Sequence, residues 1–286
     1  MRYGLREIAN VMLKAKVDDQ KVGNKTFKKG QPICHFTSLK TSNIEGAATT
    51  VYAQGGRGNS RLIAWEGERT LTLTMEDALI SPMGIAILTG AGLIELGTGE
   101  EDAKKITTHM TETIEWDKTS FGTLSHNAAE GKDYAIWVCA LDSEGNPDGC
   151  FYKATANEDT ITAVKDGDKD VIIDAEAVLV DYYATTVNTT GAMQIDIEPG
   201  KFGGNYYLEA ETLIRDEATG RDDAAEFILP NCHIQSNFTF TMASSGDPST
   251  FTFTVDAFPG VVYGTTKKVL CAIQIVNEDV AFKAGE

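Results

Sequence analysis

The residues of this chain that could coordinate a cation stand in one acidic turn, at Asp166, Asp168 and Asp170. Alternating aspartates begin the calcium loop of an EF-hand, which then requires glycine at its sixth position and glutamate at its twelfth. Those two positions hold Val171 and Ala177. The spacing therefore favours a turn on a solvated edge over a calcium site.

Two Cys-His dipeptides, at 34–35 and 232–233, are the other candidate metal ligands. Neighbouring side chains on a strand point to opposite faces, so one dipeptide cannot easily supply two ligands to one zinc, and no CxxC motif is present. Cys139 and Cys150 flank a turn and could face each other across a hairpin, but we expect all five cysteines to be reduced. We therefore expect no metal, no catalytic residue and no cofactor.

A glycine-rich segment, QGGRGNS at 54–60, matches a phosphate-binding loop only in its glycines, because the GK[ST] ending and the following helix are missing. Strand-like sequences on both sides predict a flexible connection between strands. Glycine permits positive φ and close backbone approach, and arginine makes paired hydrogen bonds to carboxylates. We therefore predict that this loop contacts another subunit. The candidate interface residues are Gly55, Gly56, Arg57, Gly58, Asn59 and Arg61.

The elements around these residues are mostly strands. Alternating Phe and Thr in 237–242 and 250–255 predict a half-buried antiparallel hairpin with one polar face. One helix is predicted, because Ser81 can cap it, Pro82 suits its first position and Gly90 can end it. The expected fold class is mainly β with one packed α-helix.

Charge divides the chain unevenly. The formal net charge is −17, of which residues 95–186 carry −13 with 20 acidic and 7 basic residues. Short strands and turns recur in this acidic part, which is typical of a small β-sandwich. We therefore predict an inserted acidic β domain at 98–186 within a discontinuous domain of 1–97 and 187–286. An acidic surface disfavours binding to nucleic acid.

Nothing in the sequence predicts insertion into a membrane or export. No apolar run reaches the roughly 18 residues that a membrane-spanning helix needs. The first ten residues, MRYGLREIAN, lack the apolar region of a signal peptide. We expect the chain to be made in a cytoplasm and not exported by the Sec route.

Three segments resemble the tail tube proteins of tailed bacteriophages. They are YGLREIANV near the start, VYAQGGRGNSRLIAWEGERTLTLTMEDALISP in the middle and GGNYYLEAETLIRDEATGRDDAAEFILPNCHIQSNFTFTMASSGDPSTFTFTVDAFPG near the end. The resemblance implies a virion structural protein with a β-sandwich or half-barrel and one packed helix. Six copies would form a hexameric ring whose strands join into one inner β-barrel, and rings would stack into a tube for DNA ejection. The loop at 55–61 would dock onto a neighbouring subunit or ring.

The same resemblance implies which partners the protein has. Its main partner would be itself, with sheath, baseplate or tape-measure proteins as further partners. Genomic DNA would pass through without specific binding, and no membrane insertion or enzymatic activity is expected. The location would be the virion tail, after assembly in the host cytoplasm, and the acidic domain, which minimal tube proteins lack, would decorate the tube or meet a sheath.

Two alternatives stay open at this point. One is a related tail ring, baseplate or tail-terminator protein. The other is a carbohydrate- or surface-binding β-sandwich module, in which exposed Trp and Tyr side chains would form a stacking platform.

Overall fold

The chain folds into two compact units, unit 1 (Met1–Leu93 with Ile195–Glu286) and unit 2 (Ile94–Gln194). Strands dominate both units and a single helix occurs among the described residues, so the predicted mainly β fold with one packed helix is confirmed. The computed structural model describes residues 2–5, 7–95, 106–117, 122–131, 133–185, 193–239, 244 and 250–276.

The elements are numbered in chain order. They are β1 (Tyr3–Leu5), β2 (Asn10–Ala15), β3 (Gln20–Val22), β4 (Lys25–Phe27), β5 (Pro32–Phe36), β6 (Leu39–Gly55), β7 (Ser60–Asp77), α1 (Pro82–Thr89), β8 (Gly92–Glu95), β9 (Thr107–Glu115), β10 (Ile136–Leu141), β11 (Pro147–Asn157), β12 (Thr160–Asp166), β13 (Lys169–Asp170), β14 (Ala177–Thr185), β15 (Met193–Asp196), β16 (Asn205–Asp216), β17 (Asp222–Ile234), β18 (Phe251–Ala257), β19 (Gly260–Val261), β20 (Lys268–Val269) and β21 (Ala272–Val276).

Unit 1 is built on one large antiparallel sheet with the strand order β5-β2-β16-β17-β18-β7-β6. The long strands β16 and β17 each take a second partner, because β1 also pairs with β16 and β21 also pairs with β17. On one face of this sheet, alternate residues of its strands are buried, including Leu13, Leu73, Met75, Leu208 and Leu229. These side chains form the core of unit 1.

The helix α1 supplies Ile87 and Leu88 to the same core. Its predicted start and end are confirmed: the Ser81 hydroxyl accepts a hydrogen bond of 2.9 Å from the Gly84 amide, and Gly90 takes a left-handed conformation with φ 67°. A side chain at Gly90 would also come within 2.4 Å of the Phe202 carbonyl oxygen, so only glycine fits there. No helix among the described residues has the length and apolar character needed to cross a bilayer.

Unit 2 contains an antiparallel sheet with the strand order β13-β12-β11-β10-β14-β9. One face buries a core that includes Val138, Ile161, Val180 and Tyr182. The segment 122–131 contributes Leu124 to this core, and its backbone bonds to the turn between β11 and β12, for example from the Leu124 amide to the Asp159 carbonyl at 2.7 Å. The covering segment therefore closes the core that the sheet alone would leave open.

Glu112 also attaches this segment to the sheet. Its carboxylate accepts hydrogen bonds from the Ser125 amide at 2.9 Å, from the Ser125 hydroxyl and from the Tyr182 hydroxyl at 2.8 Å. Partial burial raises the pKa of Glu112, but the bonds from Ser125 and Tyr182 outweigh it and hold the pKa below its usual range. The ionised carboxylate is therefore the form that stabilises this contact.

The Phe/Thr hairpin predicted for 237–242 and 250–255 forms only in part. The second strand is confirmed as β18, but residues 237–239 are not in a strand, and 240–242 lie outside the described residues. β18 pairs along Phe251–Asp256 with β7 and only through its last three residues with β17. Alternation identifies a strand but not its partner, and here the paired residues are 174 to 184 positions apart in sequence.

Candidate assembly interface

The hairpin of β6 and β7 extends far beyond the sheet to which it belongs. The two strands have 17 and 18 residues and pair from Leu39 opposite Asp77 to Gly55 opposite Ser60. A strand of this length spans roughly 55 Å. The neighbouring strand β18 contacts β7 only from Thr72 to Asp77. The remaining part of the hairpin, called here the tip, comprises residues 47–70 and pairs with no other strand among the described residues.

Burial changes sharply between the base and the tip. At the base, Leu73, Met75 and Asp77 of β7 are buried, whereas residues 60–70 are all exposed. On β6 every residue from 45 to 52 is exposed as well. Both faces of the tip therefore meet solvent in the single subunit.

A β-bulge lies where the tip begins. Two residues of β7, Gly67 and Glu68, lie opposite the single residue Thr49 of β6. The Glu68 amide donates a 2.9 Å hydrogen bond to the Thr49 hydroxyl, and a side chain at Gly67 would come within 2.6 Å of that hydroxyl. A bulge bends and twists its strand, so the hairpin changes direction at the start of the tip.

One face of the tip is apolar. Val51 lies opposite Trp65 and Ala53 lies opposite Ile63, and residues two apart on a strand share a face. The side chains of Val51, Ile63 and Trp65 are 62%, 55% and 53% exposed. We call these four residues the tip row. Contiguous exposed apolar side chains of this kind mark interaction surfaces, because they do not stabilise the fold of a single subunit.

The tip row does not continue the core of unit 1. On β6, Ile44 has an even number and contacts the core, whereas Val51 and Ala53 have odd numbers. No bulge residue of β6 lies between Ile44 and Val51 to change the alternation. By alternation the tip row therefore lies on the other face of the hairpin. The bulge on β7 shifts Ile63 and Trp65 to the same face as Val51 and Ala53.

The opposite face of the tip is mainly polar, although Ala64 lies opposite Tyr52 on it. It carries Thr50, Tyr52, Gln54 and Glu66, which follow the same alternation. The guanidinium carbon of Arg61 lies 4.1 Å above the centre of the Tyr52 ring. A cation–π contact at such an exposed site is worth about 0.5–1 kcal/mol. Arg61 thus has a partner within its own hairpin.

The glycine-rich loop forms the end of the tip. Gly56, Gly58 and Asn59 have φ of 80°, 93° and 50°, in the left-handed region that glycine and asparagine adopt most readily. The Asn59 amide donates to the Gly56 carbonyl at 3.2 Å, and the Asn59 side chain donates to Gln54 Oε1 at 3.3 Å. Gly55 differs, because it ends β6 without positive φ, and a side chain there would make only an ordinary contact, at 3.6 Å from Leu62.

The structure thus brings all six predicted interface residues together at one exposed tip. Sequence reasoning missed the tip row beside them. Its signal was the alternating VYA and IAW on either side of the loop, which we interpreted only as flanking strands. Alternation cannot distinguish a half-buried strand from one that meets solvent on both sides.

The other candidate residues stay apart. Asp166, Asp168 and Asp170 lie in and beside the exposed turn between β12 and β13, and Lys165 stands opposite Asp170. No group of three or more His, Cys, Asp or Glu within the described residues could hold a metal ion. All five cysteines are free, and Phe151 rather than Cys150 lies opposite Cys139.

The thiols of the two Cys-His dipeptides are protonated at neutral pH. Burial, with the nearby charge of Asp77, raises the pKa of Cys34 to about 11. Burial raises the pKa of Cys232 to about 12. Because the thiolate is the form that binds metals and attacks substrates, neither cysteine is suited to that chemistry.

The face of the unit 1 sheet opposite its core is largely polar. On β18 and β7, Thr252 lies opposite Glu76, Thr254 opposite Thr74, and Asp256 opposite Thr72. A small apolar cluster of Tyr207, Ile228 and Val262 covers another part of this face. We call this surface the outer face of unit 1.

Acidic residues continue this outer face on β16 and β17. Glu211 of β16 lies directly opposite Glu226 of β17. Two residues before Glu211 on the same strand, Glu209 is in contact with the ammonium group of Lys14 on β2. Burial raises the pKa of Glu226, and the charges of Glu209 and Glu211 raise it further. Like charges placed opposite each other destabilise a sheet, so stability of the subunit does not explain this arrangement.

Comparison with known proteins identifies the family. The model of the YomU/Tube protein family, which are phage tail tube-like proteins, matches residues 4–269, and this chain belongs to that family. No curated protein matches the chain. The match spans the acidic middle as well, where the sequence segments had shown little resemblance.

Proposed function

We propose that this tail tube-like protein is the structural subunit of a phage tail tube. Its copies form closed rings, with six subunits as the resemblance to tail tubes implies, and the rings stack into a conduit for DNA. Family membership supports the tube role. The observation that carries the assembly is the hairpin tip, with its exposed tip row and its exposed glycine loop.

The free edges of the sheet support ring closure. β5 and β6 are the terminal strands of the strand order in unit 1, and each pairs with one strand only among the described residues. Unpaired edge groups are a liability that closure into a barrel removes. In the proposed ring, the edge of one subunit pairs with the edge of the next, so that the sheets form one inner barrel.

In this arrangement the outer face of unit 1, which is the sheet face opposite its core, lines the conduit. Its Thr, Asp and Glu side chains can meet water, whereas the opposite face is occupied by the core and α1. Phosphate binding needs Lys and Arg to release counterions, and an acidic wall repels phosphates instead. DNA would therefore pass through without specific binding.

The tip would hold neighbours together. The tip row would pack against an apolar surface of another subunit, within the ring or in the adjacent ring, and exclude water there. Arg57, exposed in the loop, would pair with a carboxylate of that subunit. Gly55, Gly56, Gly58, Asn59 and Arg61 shape the loop that presents it.

The remaining parts of the proposal concern location and domain structure. The protein would be a non-enzymatic component of the virion tail, assembled in the host cytoplasm, with sheath, baseplate or tape-measure proteins as further partners. We also propose that residues 98–186 form an inserted domain able to fold alone, because unit 2 has a core of its own.

Electron microscopy of the purified full-length protein tests the proposal, together with mass measurement in solution across a range of salt and pH. We expect closed rings and stacked tubes. Rings that never stack would favour the related tail ring, baseplate or terminator role. A protein that stays monomeric at high concentration in every condition would contradict the proposal.

A further inference from the structure

We propose that unit 2 carries a binding surface for a neutral polysaccharide on the exposed face of its sheet. This inference goes beyond the tube function and does not depend on it. The surface lies on the side of β9, β14 and β10 that carries their odd-numbered residues, together with the neighbouring residues of β11, and it faces away from the core of unit 2. Cys139 is on the same side but is buried.

Aromatic rings cross this face from strand to strand. Tyr183 of β14, Trp137 of β10 and Phe151 of β11 occupy diagonal positions, since Trp137 lies opposite Asp181 and Phe151 lies opposite Cys139. Diagonal neighbours on adjacent strands are about 7–8 Å apart. The side chains of Trp137 and Phe151 are 40% and 47% exposed. The ring of Tyr134 packs against Tyr183 with centres 5.5 Å apart and widens this aromatic surface.

Hydrogen-bonding groups flank the central ring. Asp181 lies directly opposite Trp137 on one side and Lys153 lies directly opposite it on the other. The Asp181 carboxylate is oriented by His109, whose Nε2 lies 2.7 Å from Asp181 Oδ2. The ring of His109 in turn packs edge-on against Tyr183 at 5.5 Å. An oriented acceptor and a donor therefore stand beside an exposed indole.

This combination suits the chemistry of a sugar polymer. The C–H face of a pyranose is apolar and packs on a flat aromatic ring, while the hydroxyl groups at its rim need donors and acceptors. Trp and Tyr are the side chains that present an apolar surface with polar groups at its edge. Rings on three adjacent strands would let successive sugar units of a chain bind across the sheet.

Charge disfavours two competing occupants, a polyanion and a second copy of unit 2. Residues 94–194 carry 20 acidic and 7 basic residues, so unit 2 has a formal charge of −13. A nucleic acid or another polyanion is repelled by such a surface, and a second copy of unit 2 would bring the same charge. An uncharged polymer with many hydroxyl groups has no such penalty.

The test uses the full-length protein and three neutral probes, hydroxyethylcellulose, galactomannan and dextran, in affinity electrophoresis and titration. We expect retardation by at least one of them, and Trp137→Ala should raise its Kd on the order of tenfold or more, as loss of a central aromatic anchor does. Asp181→Ala should raise it less. The matched control is Phe258→Ala, which removes a comparably exposed aromatic ring from unit 1 (44%, against 40% for Trp137) and should leave Kd unchanged.

Thermal melting of each variant checks that the fold is intact, and Phe151→Ala serves as the second variant if Trp137→Ala does not fold. Heparin and sheared DNA serve as polyanion probes. The proposal would be overturned if all three neutral probes fail, if the Trp137→Ala and Phe258→Ala proteins bind equally, or if a polyanion binds more tightly. Electron microscopy of Trp137→Ala separates this result from the tube function, because assembly should be unaffected.

Discussion

The base and the tip of the β6–β7 hairpin are made of the same two strands, yet they use apolar residues in opposite ways. At the base, Leu73 and Met75 are buried in the core of unit 1. At the tip, Ile63 and Trp65 are more than half exposed and lie on the other face of the hairpin. The base therefore stabilises the subunit, whereas the tip row can gain from burial only by contact with another molecule.

The largest expected effect is a difference between base and tip in how much a substitution lowers the free energy of unfolding. Leu73→Ala should lower the free energy of unfolding by about 2–5 kcal/mol, because it removes a fully buried side chain and leaves a cavity. Ile63→Ala should change it by no more than about 0.5 kcal/mol. Urea denaturation of the dissociated subunit, followed by circular dichroism at a concentration below the assembly midpoint, measures both. A loss at Ile63 as large as at Leu73 would show that the tip is packed within the subunit.

A charge reversal in the loop should affect assembly and not folding. Arg57→Glu should weaken each subunit contact by about 1.5–3 kcal/mol, the value of a hydrogen bond to a charged group. Sedimentation at a series of protein concentrations measures this as a shift of the assembly midpoint, and unchanged melting below that midpoint is the fold control. Arg61→Glu is the comparison, because Arg61 is already engaged with Tyr52. An unchanged midpoint for Arg57→Glu would remove Arg57 from the interface.

The loop glycines should differ from one another. Gly56→Val places a β-branched residue at φ 80°, which costs on the order of 1–2 kcal/mol for a left-handed residue. Because the tip is separate from the core, the cost should appear locally, as faster hydrogen exchange of the Asn59 amide that bonds to Gly56. Gly55→Val should have a smaller effect, since Gly55 has no positive φ. Equal effects would contradict the loop geometry.

The smallest expected effect is at Glu226, on the outer face of unit 1. Glu226→Gln should stabilise the subunit by about 0.2–1 kcal/mol at pH 7, because it removes a like charge opposite Glu211. The pKa of Glu226 is raised in the fold, so the folded state favours the protonated acid. That benefit is present at pH below the ordinary value of 4.5 and is lost as pH rises through the folded pKa. The advantage of Gln should therefore appear at pH 7 and vanish near pH 4 in melting experiments.

Local signals in the sequence predicted several parts of the fold. Ser81, Pro82 and Gly90 placed the helix, because capping and helix termination depend on residues next to each other in the chain. Alternation identified β18 as a strand. Its pairing with β7 was not predictable, because partner choice depends on the packing of the whole sheet, and residues 237–239 show that strand-like alternation alone does not make a strand.

For the candidate site as well, only the features that depend on local sequence were predictable. The glycines and arginines of the loop were visible as a pattern, and Gly56 and Gly58 do adopt positive φ. The tip row was not visible, because the exposure of Val51 and Trp65 follows from the length of the hairpin beyond β18 and from the bulge opposite Thr49. Neither feature is set by the residues of the row itself.

The assembly of a Trp65→Glu protein tests the central claim most directly. The matched control is Gln54→Glu, which adds the same charge to the polar face of the same tip. Melting temperature, analytical ultracentrifugation and electron microscopy are compared with those of the wild-type protein. We predict equal melting for all three proteins below the concentration at which wild type assembles. At higher concentration we predict rings and tubes for wild type and Gln54→Glu, and folded monomers for Trp65→Glu. Normal tubes from Trp65→Glu would contradict the assignment of the tip row as the assembly interface.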